Sequence, residues 1–165
     1  MPDRPILRPD RKFLFAHPAH FIALGFGTGL APLAPGTVGT ALAFPIYWGL
    51  ASQLAPWLIL ASTPLLFALG VWACERTGRA LGVSDHSGMN WDEIVATIVI
   101  LVFTPPAWGW QLLAFFAFRF FDVVKPPPVR YYDRTVKGGF GVMLDDMLAA
   151  GYTLLVLAIA RIVFY

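Results

Sequence analysis

The sequence predicts an all-α fold, a compact helical bundle with several membrane-embedded helices, and three observations predict it. Hydrophobic residues make up 58% of the chain and aromatic residues 15%, with a mean hydropathy of +0.66, above what a water-soluble domain of this size carries. From residue 21 to residue 74 the chain has no Asp, Glu, Lys, Arg or His. Although 13% of residues are charged, two adjacent acid pairs, Asp92-Glu93 and Asp145-Asp146, stand at the head of uncharged apolar runs, where charge is costly.

The 165 residues read as one domain, 1–165, without a low-complexity linker or an internal repeat. Residues 1–20 form a basic arm through Arg4, Arg8, Arg11 and Lys12. The arm leads into apolar sequence with no small-residue cleavage motif, so the N-terminus is expected to be retained. Next comes Gly25-Phe26-Gly27-Thr28-Gly29-Leu30-Ala31-Pro32-Leu33-Ala34-Pro35-Gly36-Thr37-Val38-Gly39-Thr40. Its five glycines and two prolines predict an exposed-backbone loop, of the kind that can cradle a phosphate. Thr37 is expected just ahead of a helix, either as an ordinary N-cap or with its hydroxyl and the following N–H groups on an anion. The spacing fits neither the P-loop nor the dinucleotide fingerprint.

Residues 57–74 are 18 uncharged residues in a row and the strongest candidate for a span, close to the roughly 20 needed to cross the hydrocarbon. Residues 94–118 are also uncharged, but Pro105-Pro106 divides them, which predicts a hairpin or two tilted helices. Residues 147–160 form the last predicted span, apolar up to Arg161, whose side chain can snorkel to a headgroup region. Basic residues collect in the arm, at Arg76 and Arg79, and between Arg119 and Lys137. The positive-inside rule places all three groups, and with them both acid pairs, on the cytoplasmic side, where they attract anionic membrane lipids. A net charge of +2 without a recognisable basic module argues against nucleic acid. The lone Cys74 excludes an intramolecular disulfide and is expected to be a small core residue.

The chemistry-bearing residues lie around the acid pairs. Asp122 and Lys125, three apart before Pro126-Pro127-Pro128, would share a helix face, either as a plain salt bridge or with Asp122 on a metal and Lys125 on a phosphate oxygen. Asp133 and Lys137 read as a solvated i,i+4 pair, and Gly138-Gly139-Phe140-Gly141 as a flexible lead-in to the helix carrying Asp145-Asp146. His86, in Ser84-Asp85-His86-Ser87-Gly88, is a polar loop residue or a proton donor to a leaving alkoxide, the former favoured. Carboxylates converging at one depth suit Mg2+, a hard cation that takes oxygen ligands, and metal-assisted phosphate hydrolysis is the matching reaction. Other phosphatase chemistries fail on the letters. There is no Cys-x5-Arg and no Asp-x-Asp-x-Thr, and the three histidines lack an arginine-rich context.

Four ordered blocks resemble the phosphatidylglycerophosphatase A family of bacterial membrane phosphatases. They are Gly25 to Gly29 with Pro35-Gly36-Thr37-Val38-Gly39; Asp85-His86 with Trp91-Asp92-Glu93-Ile94; Phe118-Arg119-Phe120-Phe121-Asp122 with Lys125-Pro126; and Gly138-Gly139-Phe140-Gly141 through Asp145-Asp146. The resemblance implies an all-helical, multi-pass enzyme of the bacterial cytoplasmic (inner) membrane, with its active site facing the cytoplasm. It would be a magnesium-dependent hydrolase converting phosphatidylglycerophosphate to phosphatidylglycerol and inorganic phosphate. It also implies that Asp92, Glu93, Asp122, Asp145 and Asp146 are the catalytic and metal-binding acids. Thr28, Gly36, Thr37, His86, Arg119 and Lys125 are the candidate phosphate or substrate contacts. Two positions depart from the family pattern: Ala96 stands where relatives often carry glycine, and Pro127 where an aromatic residue is often found. Two other readings stay open on the sequence: a non-catalytic membrane bundle binding lipid or cations, and a phosphatase acting on another lipid phosphate.

Overall fold

A computed structural model describes residues 8–164, and within them the chain is helical with no strand. Arg4 of the basic arm lies outside the described residues. Two short helices come first, α1 (Arg11–Ala16) and α2 (Pro18–Ala23). Asp10 caps α1 by accepting from Phe13 N at 2.8 Å, and His17 Nδ1 caps α2 by accepting from Ala19 N at 3.0 Å. A 3-10 turn, Gly25–Leu30, leads to α3 (Pro35–Ala51). The long α4 (Pro56–Leu81) ends at Gly82, which takes up a left-handed φ of 77°. Then follow α5 (Trp91–Phe103), α6 (Trp108–Val124), α7 (Val129–Thr135) and α8 (Gly138–Phe164).

The centre of the bundle is α5, whose residues from Trp91 to Leu101 are all buried. A helix buried on every face must be wrapped on every side, its two acids included. Here α3, α4, α6 and α8 do the wrapping: Ile94 and Ile98 pack with Ala43 and Ile59, while Ala96 and Ile100 pack with Ala114, Phe118 and Ala149. As expected, Pro105-Pro106 separate α5 from α6, and Cys74 is fully buried in a core cluster.

The helices α4 and α8, of 26 and 27 residues, are long and apolar enough to cross a membrane, about 40 Å each at about 1.5 Å per residue. Around them large apolar side chains point outward, among them Leu65, Trp72, Leu155, Ile159 and Ile162.

Two local expectations are corrected. Residues 25–40 are not one loop: Pro35 starts α3, at the position where a missing N–H costs nothing, and the cap is Ala34 with a φ of 45°. Thr37 therefore sits within the first turn of α3 rather than capping it. The Gly138-Gly139-Phe140-Gly141 segment is not a flexible lead-in but the first turn of α8, and its glycine serves close packing. A Cβ on Gly139 would lie 2.0 Å from the Val71 carbonyl oxygen of α4. Asp145 and Asp146 consequently stand two turns inside α8, carried there by a helix longer than its apolar run.

Candidate active site

The acid pair Asp92-Glu93 occupies the first turn of α5, where the helix dipole favours negative charge, yet both residues are buried. Across from them α8 presents Asp145 and Asp146, also buried, and the last turns of α6 supply Arg119 and Asp122. Lys125 ends α6 in a left-handed conformation, φ 47°, which turns its side chain back over the acids. Gly36 closes the wall from the start of α3: a Cβ there would come within 2.0 Å of Glu93 Oε1. These residues, with Ala34, Pro35, Asp85, Ser87 and Met89, line one cavity of about 300 Å³.

Two cations are held in place by carboxylates. Arg119 Nη1 lies 2.7 Å from both Glu93 Oε1 and Asp122 Oδ2. Lys125 Nζ donates to Asp133 Oδ1 at 2.7 Å and to Asp145 Oδ2. Burial works against the Lys125 charge, but its bonds to Asp133 and Asp145 outweigh it and hold the ammonium above its ordinary pKa. Partial burial likewise opposes the Asp133 carboxylate, and Lys125 overrides it, so that its pKa lies below the usual range. Asp85 moves the other way, raised chiefly by desolvation.

The charges in the cavity do not balance. Asp85, Asp92, Glu93, Asp122, Asp145 and Asp146 face Arg119 and Lys125, six carboxylates against two cations. Four buried oxygens, Asp92 Oδ1, Glu93 Oε2, Asp145 Oδ1 and Asp146 Oδ2, have no hydrogen-bond partner in the protein. Buried carboxylates left like this require protons or a further cation. Their all-oxygen donor set matches a hard divalent ion. Among the described residues no three His, Cys, Asp or Glu side chains form a ready metal cluster. Mg2+ does not need one, because it commonly uses one or two carboxylates and completes its octahedron with water and substrate phosphate. A larger cavity of about 350 Å³ lies between Glu75 and Gly138, but its acid is spent on Arg79 at 2.7 Å.

The sequence matches the Phosphatidylglycerophosphatase A family over residues 21–161, a range that takes in every charged residue of the acid-lined cavity. The chain belongs to the phosphatidylglycerophosphatase A family. Membership makes it a phosphatase, as the resemblance of its four blocks implied. It is 42% identical to a phosphatidylglycerophosphatase A of Haemophilus influenzae, over 90% of this chain and 91% of that protein. With the phosphatidylglycerophosphatase A of Escherichia coli it shares 40% identity, over 84% of this chain and 80% of the relative. A putative phosphatidylinositol-3-phosphatase of Bacteroides thetaiotaomicron is 39% identical, over 85% and 91%. No solved structure matches the chain.

Within this family member the candidate residues separate into two groups. Asp92, Glu93, Asp122, Asp145, Asp146, Gly36, Arg119 and Lys125 share the cavity. Thr28, Thr37 and His86 are not among its lining residues. Thr28 Oγ1 donates to Gly25 O at 2.8 Å and accepts from Asn90 Nδ2 at 3.0 Å, pinning the 3-10 turn. His86 Nδ1 accepts from Gly88 N at 3.0 Å, the behaviour of a loop residue. Neither salt bridge expected on a helix face forms: Asp122 turns to Arg119, and the Asp133 carboxylate to Lys125, leaving Lys137 on the Asp133 backbone carbonyl at 2.7 Å. Sequence reasoning passed over Asp85 as a cavity residue, although it lies beside His86 in a family block. It also passed over Asn90, whose buried amide ties Thr28 and Pro35 O to the head of α5.

Proposed function

We propose that this chain hydrolyses phosphatidylglycerophosphate to phosphatidylglycerol and inorganic phosphate, with Mg2+, in glycerophospholipid biosynthesis. The observation that carries the reading is the cavity itself, in which four unpartnered buried carboxylate oxygens stand beside two cations with donors to spare. Arg119 retains N–H groups beyond those on Glu93 and Asp122, and the Lys125 ammonium has three donors for its two acids, so both can also take phosphate oxygens. Water attacks phosphorus, the ester P–O bond breaks and the glycerol oxygen leaves as an alkoxide. A carboxylate of the Asp92 and Asp146 set accepts the proton that water loses, and the alkoxide takes a proton back to become the alcohol. Asp92, Glu93, Asp145 and Asp146 would hold the Mg2+, which when bound neutralises phosphoryl oxygens and lowers the pKa of water.

The location proposed is the bacterial inner membrane, multi-pass, with the site facing the cytoplasm. Supporting this are the lengths of α4 and α8, the outward apolar surface, and the gathering of Arg76, Arg79, Arg130, Arg134 and Lys137 toward the cavity end of the helices that carry or adjoin them. The non-catalytic bundle loses its ground in a family of phosphatases. A second reading keeps the phosphatase and changes the headgroup, and the Bacteroides relative named as a phosphatidylinositol-3-phosphatase favours it.

The deciding experiment measures phosphate release in detergent micelles from phosphatidylglycerophosphate, phosphatidic acid and phosphatidylinositol 3-phosphate, with Mg2+ and with EDTA. Mg2+-dependent release selective for phosphatidylglycerophosphate is expected. Greater kcat/KM on another lipid moves the substrate assignment, and no release from any lipid by folded protein overturns the function.

A further inference from the structure

Two helices, α3 and α6, both contribute to the wall of the cavity. On α3, Thr37, Ala41, Phe44 and Trp48 recur at three- and four-residue spacing and share one face. On α6 the facing row is Trp108, Phe115, Arg119 and Asp122. The helices run in opposite directions, since α3 begins at the cavity with Gly36 while α6 ends there with Arg119 and Asp122. Far from the cavity the rows meet through large rings: Trp48 and Trp108 are 5.5 Å apart and Phe44 and Phe115 are 6.0 Å apart. Nearer the cavity the α3 side shrinks to Ala41, which is exposed, and Thr37. Beside Arg119 on α6 lies an outward apolar stripe, in which Phe116 is 65% and Val123 72% exposed. At the inner end stand Asp92 and Asp146, 7% and 3% exposed, each with an unpartnered carboxylate oxygen.

We infer that the small side chains of Ala41 and Thr37 leave a slot between α3 and α6 in which the acyl chains of the lipid substrate lie, entering sideways from the bilayer, with the Phe44–Phe115 and Trp48–Trp108 pairs as its floor. The inference rests on the lipid phosphatase reading above and names the part of the site that recognises lipid rather than phosphate. Continuity favours this occupant. The slot changes from an apolar rim at Phe116, one turn before Arg119 on α6, to the Arg119 guanidinium at the cavity, as a phospholipid changes from chain to phosphate. A polar ligand gains nothing from the outer half, while an acyl chain exchanges one apolar surface for another at little cost.

The test fills the slot. Ala41→Trp is compared with Gly49→Trp, a position on the same helix with open space around it, using a dioleoyl substrate in micelles and its water-soluble deacylated counterpart. Ala41→Trp should lower kcat/KM about tenfold or more on the dioleoyl substrate, mostly through KM, and leave the deacylated one within about twofold. Gly49→Trp should change neither. Equal losses on both substrates, or no loss on either, overturn the slot. Should Ala41→Trp not fold, wild-type protein is photolabelled with a phospholipid carrying a diazirine near the glycerol end of its acyl chain. Label on α3 and α6 supports the slot, and label confined to α4 and α8 overturns it. Wild-type protein that releases phosphate from neither substrate rejects the phosphatase reading itself, a result distinct from failure of the slot.

Discussion

Arg119 Nη1 donates to Glu93 Oε1 at 2.7 Å, joining the last turns of α6 to the first turn of α5. The same nitrogen sits 2.7 Å from Asp122 Oδ2, so one planar guanidinium organises two acids of the cavity. Lysine keeps the charge but not the fork. Arg119→Lys should therefore fold and lose about tenfold to a hundredfold in kcat/KM, whereas Arg119→Ala also strands a buried Glu93 and should be destabilised by about 3 kcal/mol. Steady-state kinetics and thermal unfolding in detergent separate the two effects, and wild-type kinetics in Arg119→Lys would remove the fork from substrate binding.

Asp92 and Asp146 present the opposite balance between function and fold. Each is buried with an unpartnered oxygen among like charges, an arrangement that costs stability when nothing neutralises it. Asp92→Asn and Asp146→Asn keep the shape and remove the charge. Turnover should fall by about three orders of magnitude or more, with the helical circular dichroism unchanged and the metal-free melting temperature equal or higher. Retained turnover takes the residue out of the reaction.

Much of this arrangement is legible in the sequence because polar residues are rare enough in an apolar chain to demand a reason. The prolines at 105 and 106 marked the break between α5 and α6, and the acids marked the cavity. Less legible was anything that depends on where a helix begins or how closely two helices lie. The glycines at 138, 139 and 141 look like a loop by composition, yet they belong to α8 because close contact with its neighbours requires small residues. Lys125 looks like a helical partner of Asp122, but its left-handed conformation ahead of the prolines sends it to Asp133 and Asp145. Asp85 joins the cavity only through tertiary folding, since it belongs to none of the helices.

Gly139 tests the close packing directly. Alanine there would put a methyl group 2.0 Å from Val71 O and 2.7 Å from Glu75 N, both backbone atoms that cannot rotate away. Gly139→Ala should force α4 and α8 apart and destabilise the fold by about 1–3 kcal/mol, read as a lower melting temperature in detergent. An unchanged melting temperature would show that the helices move apart freely.

Asn90 ties the head of α5 to three preceding segments, one of them in the cavity wall, from a fully buried position. Its Nδ2 donates to Pro35 O at 2.9 Å and Thr28 Oγ1 at 3.0 Å, and its backbone N to Ala23 O at 2.9 Å. Asn90→Ala removes the amide and leaves Pro35 O without that donor, at a cost of about 2–4 kcal/mol. Activity should fall with it, because Pro35 and Gly36 form one wall of the cavity. Asn90→Asp should not rescue either property, since a carboxylate cannot donate to Pro35 O. Thermal unfolding and turnover of both variants provide the check.

Metal binding can be read without any reaction. If the unpartnered oxygens of Asp92, Glu93, Asp145 and Asp146 receive Mg2+, the folded state gains stability by mass action, about 2.7 kcal/mol at a hundred times Kd. The melting temperature of the wild-type protein should rise with Mg2+ in a saturable way and fall back on adding EDTA. Asp146→Asn should lose most of that increment, while Glu75→Gln, which alters an acid outside the cavity, should keep it. The comparison separates a site ion from general screening, because ionic strength acts on both variants alike, and Na+ at matched ionic strength should reproduce none of the saturable rise. An equal Mg2+ response in wild type and Asp146→Asn would take Asp146 out of the metal site, and no response in either would mean that protons neutralise the acids of the cavity.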